Sequence, residues 1–291
     1  MAIFKGAGVA IATPFNEDLT VNYEEFGRLI EFQIENGTDA IIVCGTTGES
    51  ATLSEAEHVE VIRWCVEKVA HRIPVIAGTG SNSTETAIML SKEAEEAGVD
   101  GLLIVTPYYN KATQKGLIAH YTTIANAVKV PIILYNVPSR TGRDISLETV
   151  VRLSKHPNVA AVKEASGSVA RVSATVDACD LAVLSGDDML AFPMIAVGAQ
   201  GVISVASNVA PALVSKMINA ALAGDMANAA TLHKRLYRLF RDLFIDTNPI
   251  PVKCALALMG RIEEVYRLPL CETSDACRAQ IRATLAELKL V

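Results

Sequence analysis

The chain has 291 residues, 51% of them hydrophobic and 20% charged, which is enough to bury a large core and excludes general disorder. Thirty-two Asp and Glu against 26 Lys and Arg give a formal net charge of −6, the wrong sign for a nucleic acid or an anionic membrane as partner. The length admits either two domains of ~100–200 residues or one barrel of ~250.

In chain order, the N-terminal segment through Phe15 mimics a signal peptide. Its apolar run is short and ends at Thr13-Pro14-Phe15 without a small-residue cleavage pattern, so a first strand is expected instead. Apolar runs predict eight strands, at Val9–Ala12, Ala40–Val43, Pro74–Ala77, Leu102–Val105, Ile132–Tyr135, Val159–Val162, Ala182–Leu184 and Val202–Val205. Amphipathic helices lie between them. From Tyr23 to Asn36, Phe26, Leu29, Ile30 and Ile34 share a face behind a capping box of Asn22 and Glu25. Ser54 and Glu57 repeat that signature ahead of Val59, Ile62 and Val66, and Gly37 and Gly98 stand where helix C-caps belong. Gly78-Thr79-Gly80-Ser81-Asn82-Ser83 imitates a dinucleotide loop, but the third glycine is missing and the unit is third in the chain; a tight βα turn is expected.

From Met189 to Ser215 no Asp, Glu, Lys or Arg occurs, a stretch longer than the ~20 residues that span a bilayer. Breaks at Gly198–Gly201 and Ser207–Pro211 divide it into a helix, a buried strand and the start of another helix, so no membrane span is expected. Helical patterns continue at Ala210–Ala223, Met226–Phe244, Val252–Met259 and Ser274–Leu288, with Lys234–Asp242 read as an ordinary polar face. Alternating strands and helices imply a parallel sheet, and eight units favour closure into a (β/α)8 TIM barrel. Residues 1–224 are therefore expected to form the barrel, and 225–291 a C-terminal helical segment packed on it.

Cys44, Cys65, Cys179, Cys254, Cys271 and Cys277 form no C-x-x-C pair, and several sit in apolar runs, as reduced thiols of a cytoplasmic protein do. There is no Walker sequence, no G-x-S-x-G and no H-E-x-x-H, so neither a nucleotide cofactor nor a metal is expected. The five histidines are scattered. His58, behind Glu55-Ala56-Glu57, reads as part of a solvated helix face rather than a ligand.

In a barrel, chemistry belongs at the C-terminal ends of the strands. Those ends carry Cys44-Gly45-Thr46-Thr47-Gly48-Glu49, Thr106-Pro107-Tyr108-Tyr109-Asn110, Tyr135-Asn136-Val137-Pro138-Ser139-Arg140-Thr141-Gly142, Val162-Lys163-Glu164 and Ser185-Gly186-Asp187-Asp188. Lys163 is the sharpest of these, the one lysine of twelve placed within a strand, directly after four apolar residues. Burial penalises an ammonium and favours the neutral amine, the form that attacks a ketone. The bland alternative is a lysine paired with Glu164 or reaching solvent at the rim. Lys253, in the helical region, is its rival. Tyr135 and Tyr109 are candidates for moving protons, with a threonine hydroxyl as a link, or for simple packing. Gly45 and Gly48 around two threonines could expose N–H groups to a small carboxylate. Arg140 could clamp a second carboxylate or be a surface arginine.

Taken together, Gly45-Thr46-Thr47-Gly48-Glu49, the Tyr135–Gly142 stretch, Val162-Lys163-Glu164-Ala165 and Asn248-Pro249-Ile250-Pro251-Val252-Lys253 resemble the dihydrodipicolinate synthase branch of the pyruvate-dependent class I aldolase family, which includes N-acetylneuraminate lyase. The resemblance spans essentially the whole chain. It implies that Lys163 forms a Schiff base with pyruvate and that Tyr135, Thr46 and Tyr109 make a proton relay, with Tyr109 reaching a neighbouring subunit's site. Thr47, through its backbone N–H, and Ile203 match positions that hold pyruvate. Arg140 matches the residue for the carboxylate of aspartate 4-semialdehyde, and Gly186 lines the same pocket. The implied product is 4-hydroxy-tetrahydrodipicolinate, the first committed step of diaminopimelate and lysine biosynthesis, made without metal or cofactor by a homotetramer (dimer of dimers) or homodimer. Ser50, Ala51, His58, Asn82 and Tyr108 match the family's lysine-inhibition site, but Glu55 and Thr86 depart from it, so weak or absent inhibition is expected. A sialic-acid-type lyase is the alternative within the family, with Arg140 against it. A non-catalytic binding barrel is the alternative outside it, opposed by the joint presence of Lys163, both tyrosines and Thr46.

Overall fold

Eight parallel strands close in chain order in the computed structural model, which describes residues 3–291; the first two residues of the signal-like N-terminus lie outside the described residues. The strands are β1 (Gly6–Ala10), β2 (Ala40–Val43), β3 (Val75–Gly78), β4 (Gly101–Val105), β5 (Ile132–Asn136), β6 (Val159–Glu164), β7 (Ala182–Ser185) and β8 (Gly201–Ser204). Each is followed by at least one helix, the crossover that parallel pairing demands. β1 starts three residues before the apolar run does, because Gly6 and Ala7 pair with Gly201 and Val202 of β8. It ends at Ala10, and the Ala12 N–H leaves the ladder for the Asn208 side chain.

Both faces of the strands are apolar. Val9, Ile41, Leu102, Leu134, Val162 and Val202 pack outward with the helices, whereas Ile42, Ile76, Leu103, Ile133, Ala161, Leu184 and Ile203 fill the barrel interior. Each fully buried side chain of this kind contributes roughly 1.5–3 kcal/mol. The alternation also assigns Lys163 a face. Ala161 points inward and Val162 outward, so Lys163 points in with Tyr135 and Glu164 points out.

Helix boundaries follow their capping chemistry. Ser54 and Glu57 form a complete capping box at the helix Glu55–Val69. At Tyr23–Glu35, Asn22 accepts from the Glu25 N–H, but the Glu25 carboxylate accepts instead from the Glu263 N–H, so the expected box is only half formed. The glycines of the βα turn after β3 are dictated by crowding: a Cβ on Gly78 would lie 2.4 Å from the Cys44 carbonyl oxygen, and one on Gly80 2.3 Å from the Val105 nitrogen. The charge-free stretch resolves into the end of the helix Asp188–Ala196, β8, and the start of the helix Pro211–Leu222. Helices Met226–Asp242, Ile250–Leu258 and Asp275–Glu287 complete the C-terminal part. Asp242 is buried rather than part of a polar face, because Thr284 and Gln280 donate to its carboxylate. Among the described residues no helix is long and apolar enough to cross a membrane, and all six cysteines are free thiols.

Candidate active site

The C-terminal ends of the strands surround a cavity of about 330 Å3 lined by Thr46, Thr47, Tyr135, Arg140, Lys163, Gly186 and Asn248, among others. Lys163 sits near the end of β6, opposite Tyr135 of β5 in the parallel register. Its Nζ lies 4.1 Å from the Tyr135 ring centroid, and the residue is 6% exposed. Among the described residues it has no carboxylate partner. Glu164, on the other face of the strand, accepts from Asn136 Nδ2 at 3.2 Å and from the Ser166 N–H at 2.8 Å. The pairing of Lys163 with Glu164 entertained from the sequence is thus ruled out by strand parity.

Lys253, the rival lysine, is fully buried in the helix Ile250–Leu258, and its Nζ donates to Glu49 Oε1 at 2.5 Å. It does not reach the cavity. Gly186 is needed beside Lys163, since a Cβ there would lie 2.9 Å from Lys163 Cε and 2.7 Å from Ala165 Cβ. Tyr135 is buried, and its carbonyl is held by Thr106, whose N–H and hydroxyl both donate to it.

Among the described residues the turn after β2 is compact and has the unpaired N–H groups that an anion nest uses. Cys44 and Glu49 take left-handed φ values of +54° and +52°, and bonds from Gly48 N–H to Gly45 O and from Glu49 N–H to Thr46 O tie the turn together. Among the described residues the N–H groups of Gly45, Thr46 and Thr47 donate to no protein acceptor, so they are free for a small carboxylate. Thr47 Oγ1 accepts from Asn248 Nδ2 at 3.1 Å. Arg140 rides on the short helix Pro138–Thr141 and donates from Nη2 to the Asn248 carbonyl at 3.2 Å. A fixed guanidinium at the cavity wall offers a second anion site.

Two sequence candidates fall outside this cluster. Ile203 is buried in the barrel interior and does not line the cavity. Tyr109 is 90% exposed, with a φ of +70°, and does not line it either. Asp187, noted at the end of β7, and Asn248, noted in the C-terminal stretch, line it without a role having been assigned to either, and Phe244 lines it with no signal in the sequence. Asp188 also has a role unseen in the sequence. Fully buried, it accepts from Ser204 Oγ at 2.5 Å and from the Val205 and Ala206 N–H groups, tying the end of β7 to the end of β8. Desolvation pushes its carboxyl up to about 6 against those hydrogen bonds.

A second cavity, of about 360 Å3, shares Thr46, Val137 and Arg140 with the first and includes Glu55, His58, Thr86 and Tyr108. His58 corrects the solvated-face expectation: it is 6% exposed, and its Nε2 lies 2.8 Å from the Gly78 carbonyl. The helix turns this position inward although its neighbours Glu55 and Glu57 face solvent. Burial pushes the His58 imidazole down from its ordinary range. His120 is also buried. Asn82 is outside the cavity lining, its carbonyl accepting from Asn110. Among the described residues no cluster of three or more His, Cys, Asp or Glu is placed as a metal site.

Comparison with known proteins agrees with this geometry. The dihydrodipicolinate synthetase family model matches residues 3–288. The chain is 52% identical over 291 residues to the 4-hydroxy-tetrahydrodipicolinate synthase of Geobacter sulfurreducens, covering 99% of this chain and 100% of that one. It is 54% identical over 286 residues to the enzyme of that name from Nitratidesulfovibrio vulgaris, covering 97% and 98% of the two chains. The crystal structure of dihydrodipicolinate synthase from Aquifex aeolicus is similar at a TM-score of 0.97 and 50% identity over 99% of both chains.

Proposed function

The chain belongs to the dihydrodipicolinate synthetase family, and from that premise we infer how its cavity works. It is a lyase of the class I aldolase type that condenses pyruvate with aspartate 4-semialdehyde to 4-hydroxy-tetrahydrodipicolinate, in diaminopimelate and lysine biosynthesis. The lyase alternative is not favoured, since the relatives above carry the synthase name.

The observation that carries the residue assignments is an inward lysine, unpaired with any carboxylate, against a tyrosine ring in a cavity with two anion sites. Lys163 attacks the pyruvate ketone as the neutral amine, and the carbinolamine loses water to give an imine. Tyr135 shuttles the protons, with Thr46 as its link to Tyr109. The nest at Thr46–Thr47 holds the pyruvate carboxylate, and Ile203 backs the barrel floor behind it. Loss of a methyl proton gives the enamine, whose carbon bonds to the aldehyde carbon of the second substrate while Arg140 holds that substrate's carboxylate. The substrate's amine then adds to the imine carbon and expels Lys163, leaving the cyclic dicarboxylate. Gly186 leaves room for the Lys163 stem. The lysine itself activates the ketone, so the reaction needs neither metal nor organic cofactor.

Tyr109, exposed and outside the lining of its own cavity, supports a site completed by a second copy, in a homodimer or a homotetramer built as a dimer of dimers. Residues 1–224 supply the catalytic barrel and 225–291 the helical segment on it, and free thiols suit the cytoplasm. Borohydride reduction in the presence of pyruvate, followed by peptide mass spectrometry, tests the central step. A pyruvyl adduct on Lys163 is expected; an adduct elsewhere, or none, overturns the reading. Turnover of the trapped-competent enzyme with aspartate 4-semialdehyde tests the second half.

A further inference from the structure

The barrel mouth contains a buried ion pair that the mechanism leaves idle. Glu49 closes the nest turn, and Lys253 lies about 200 residues further along the chain, in the third helix after β8; both side chains are 0% exposed. Lys253 Nζ lies 2.5 Å from Glu49 Oε1, with the Phe15 ring centroid at 4.3 Å and that of Tyr266 at 5.2 Å. Glu49 Oε2 is buried without any hydrogen-bond partner.

As a source of stability this arrangement is poor. Two charges leave water, one carboxylate oxygen is unsatisfied, and apolar residues of equal volume would serve as well or better. Desolvation pulls the Lys253 ammonium down, and Glu49 works against it. What the pair does provide is registry. Glu49 is a non-glycine residue in the left-handed region, φ +52°, a conformation that persists only when its surroundings impose it. Its N–H donates to the Thr46 carbonyl, so it closes the turn whose residues Gly45, Thr46 and Thr47 line the cavity. Asn248, just before the helix that carries Lys253, fixes the same turn from the side by donating to Thr47 Oγ1. The C-terminal helical segment therefore grips the nest at two points.

We propose that Lys253 and Glu49 are positioning residues for the pyruvate carboxylate, holding the Gly45–Glu49 turn so that its free N–H groups converge on the cavity. The proposal rests on the reading of that turn as the pyruvate site. Lys253→Met strands the Glu49 charge and lowers the melting temperature; the double variant Glu49→Gln with Lys253→Met removes both charges and restores it. The KM-against-kcat split in the double variant is decisive. The KM for pyruvate rises about tenfold, while kcat at saturating pyruvate stays within about twofold, because a loosened nest loses carboxylate binding and leaves Lys163 and Tyr135 in place. The KM for aspartate 4-semialdehyde is unmoved. If the double variant regains both its melting temperature and the parental KM for pyruvate, the pair is a mere staple and the proposal fails. If kcat collapses along with KM, the pair holds the whole mouth rather than the nest, and the proposal fails as well. Failure of the underlying reading shows separately, as the absence of a borohydride adduct on Lys163 in the unsubstituted chain.

Discussion

Gly186→Ala isolates the geometry of the amine from everything else in the site. Gly186 does not need a left-handed backbone, so alanine meets no conformational penalty, only atoms. Its Cβ would stand 2.9 Å from Lys163 Cε, 3.2 Å from Lys163 Cγ and 2.7 Å from Ala165 Cβ. Carbon atoms rest at about 3.5–4.0 Å, so close to 1 Å must be given up on the side of the cavity. The contact with Ala165 Cβ is relieved only by a shift of the backbone around residue 186, and the flexible Lys163 stem is displaced as well. A misplacement of about 1 Å costs on the order of 10²-fold, which is about 2.7 kcal/mol of transition-state stabilisation. Overpacking adds about 1–3 kcal/mol of destabilisation. Steady-state kcat/KM for pyruvate, the rate of borohydride trapping at Lys163 and a thermal melt separate these effects. A folded variant should lose activity and trapping together. If kcat/KM and trapping both stay within threefold of the parent, the claim that Gly186 sets the position of the amine is wrong.

Three further outcomes follow from particular residues. Tyr109→Phe and Lys163→Ala should each be nearly inactive alone, yet regain activity when mixed and re-equilibrated, because a mixed dimer pairs an intact Lys163 with a partner's intact Tyr109; a mixture no better than its components would remove the shared-site assignment. Lysine at millimolar concentration should leave the initial rate nearly unchanged, since Glu55 and Thr86 stand in the second cavity, and strong inhibition there would refute this. Burial depresses His120 to about 4, its Nε2 having no acceptor. A base with a lowered folded-state value contributes stability that is present above its unfolded value, near 6.5, and lost as pH falls toward 4, up to about 3 kcal/mol. His120→Gln should flatten that part of the urea-unfolding profile between pH 7 and 4, and an unaltered slope counts against it.

Much of the barrel is legible in the chain because period and punctuation agree: apolar runs bounded by caps and glycines yield seven of the eight strands to within two residues, and β1 is shifted toward the N-terminus, where closure on β8 recruits Gly6 and Ala7 and Asn208 takes the Ala12 N–H. Lys163 is legible for a chemical reason, a cation at the end of an apolar strand. Its direction is not, since strands apolar on both faces carry no parity signal until Ala161 and Val162 are seen to separate into different clusters. The burial of His58 is not legible locally, because one helix turn can set an exposed Glu55 beside a buried imidazole. Asn248 and the Glu49–Lys253 pair are invisible to local pattern, as they join positions about 200 residues apart and only three-dimensional closure brings them together.

Closure of the barrel has a consequence for biosynthesis. β1 is hydrogen-bonded on one side to β2 and on the other to β8, with Gly6 opposite Gly201. During translation at ~5–20 residues per second, the second edge of β1 waits on the order of 10–40 s for its partner to be made. Throughout that interval a glycine- and alanine-rich strand presents unpaired amides, a template for pairing with another nascent chain. The strand that ends the wait is the middle of a segment with no charged residue from Met189 to Ser215, so the last part of the barrel to arrive is also the stickiest. Asp187 and Asp188 before it and Lys216 after it flank that segment as charged gatekeepers. Neutralising Lys216, which is exposed and lies outside the cavity lining, should be felt in the yield of soluble protein more than in activity.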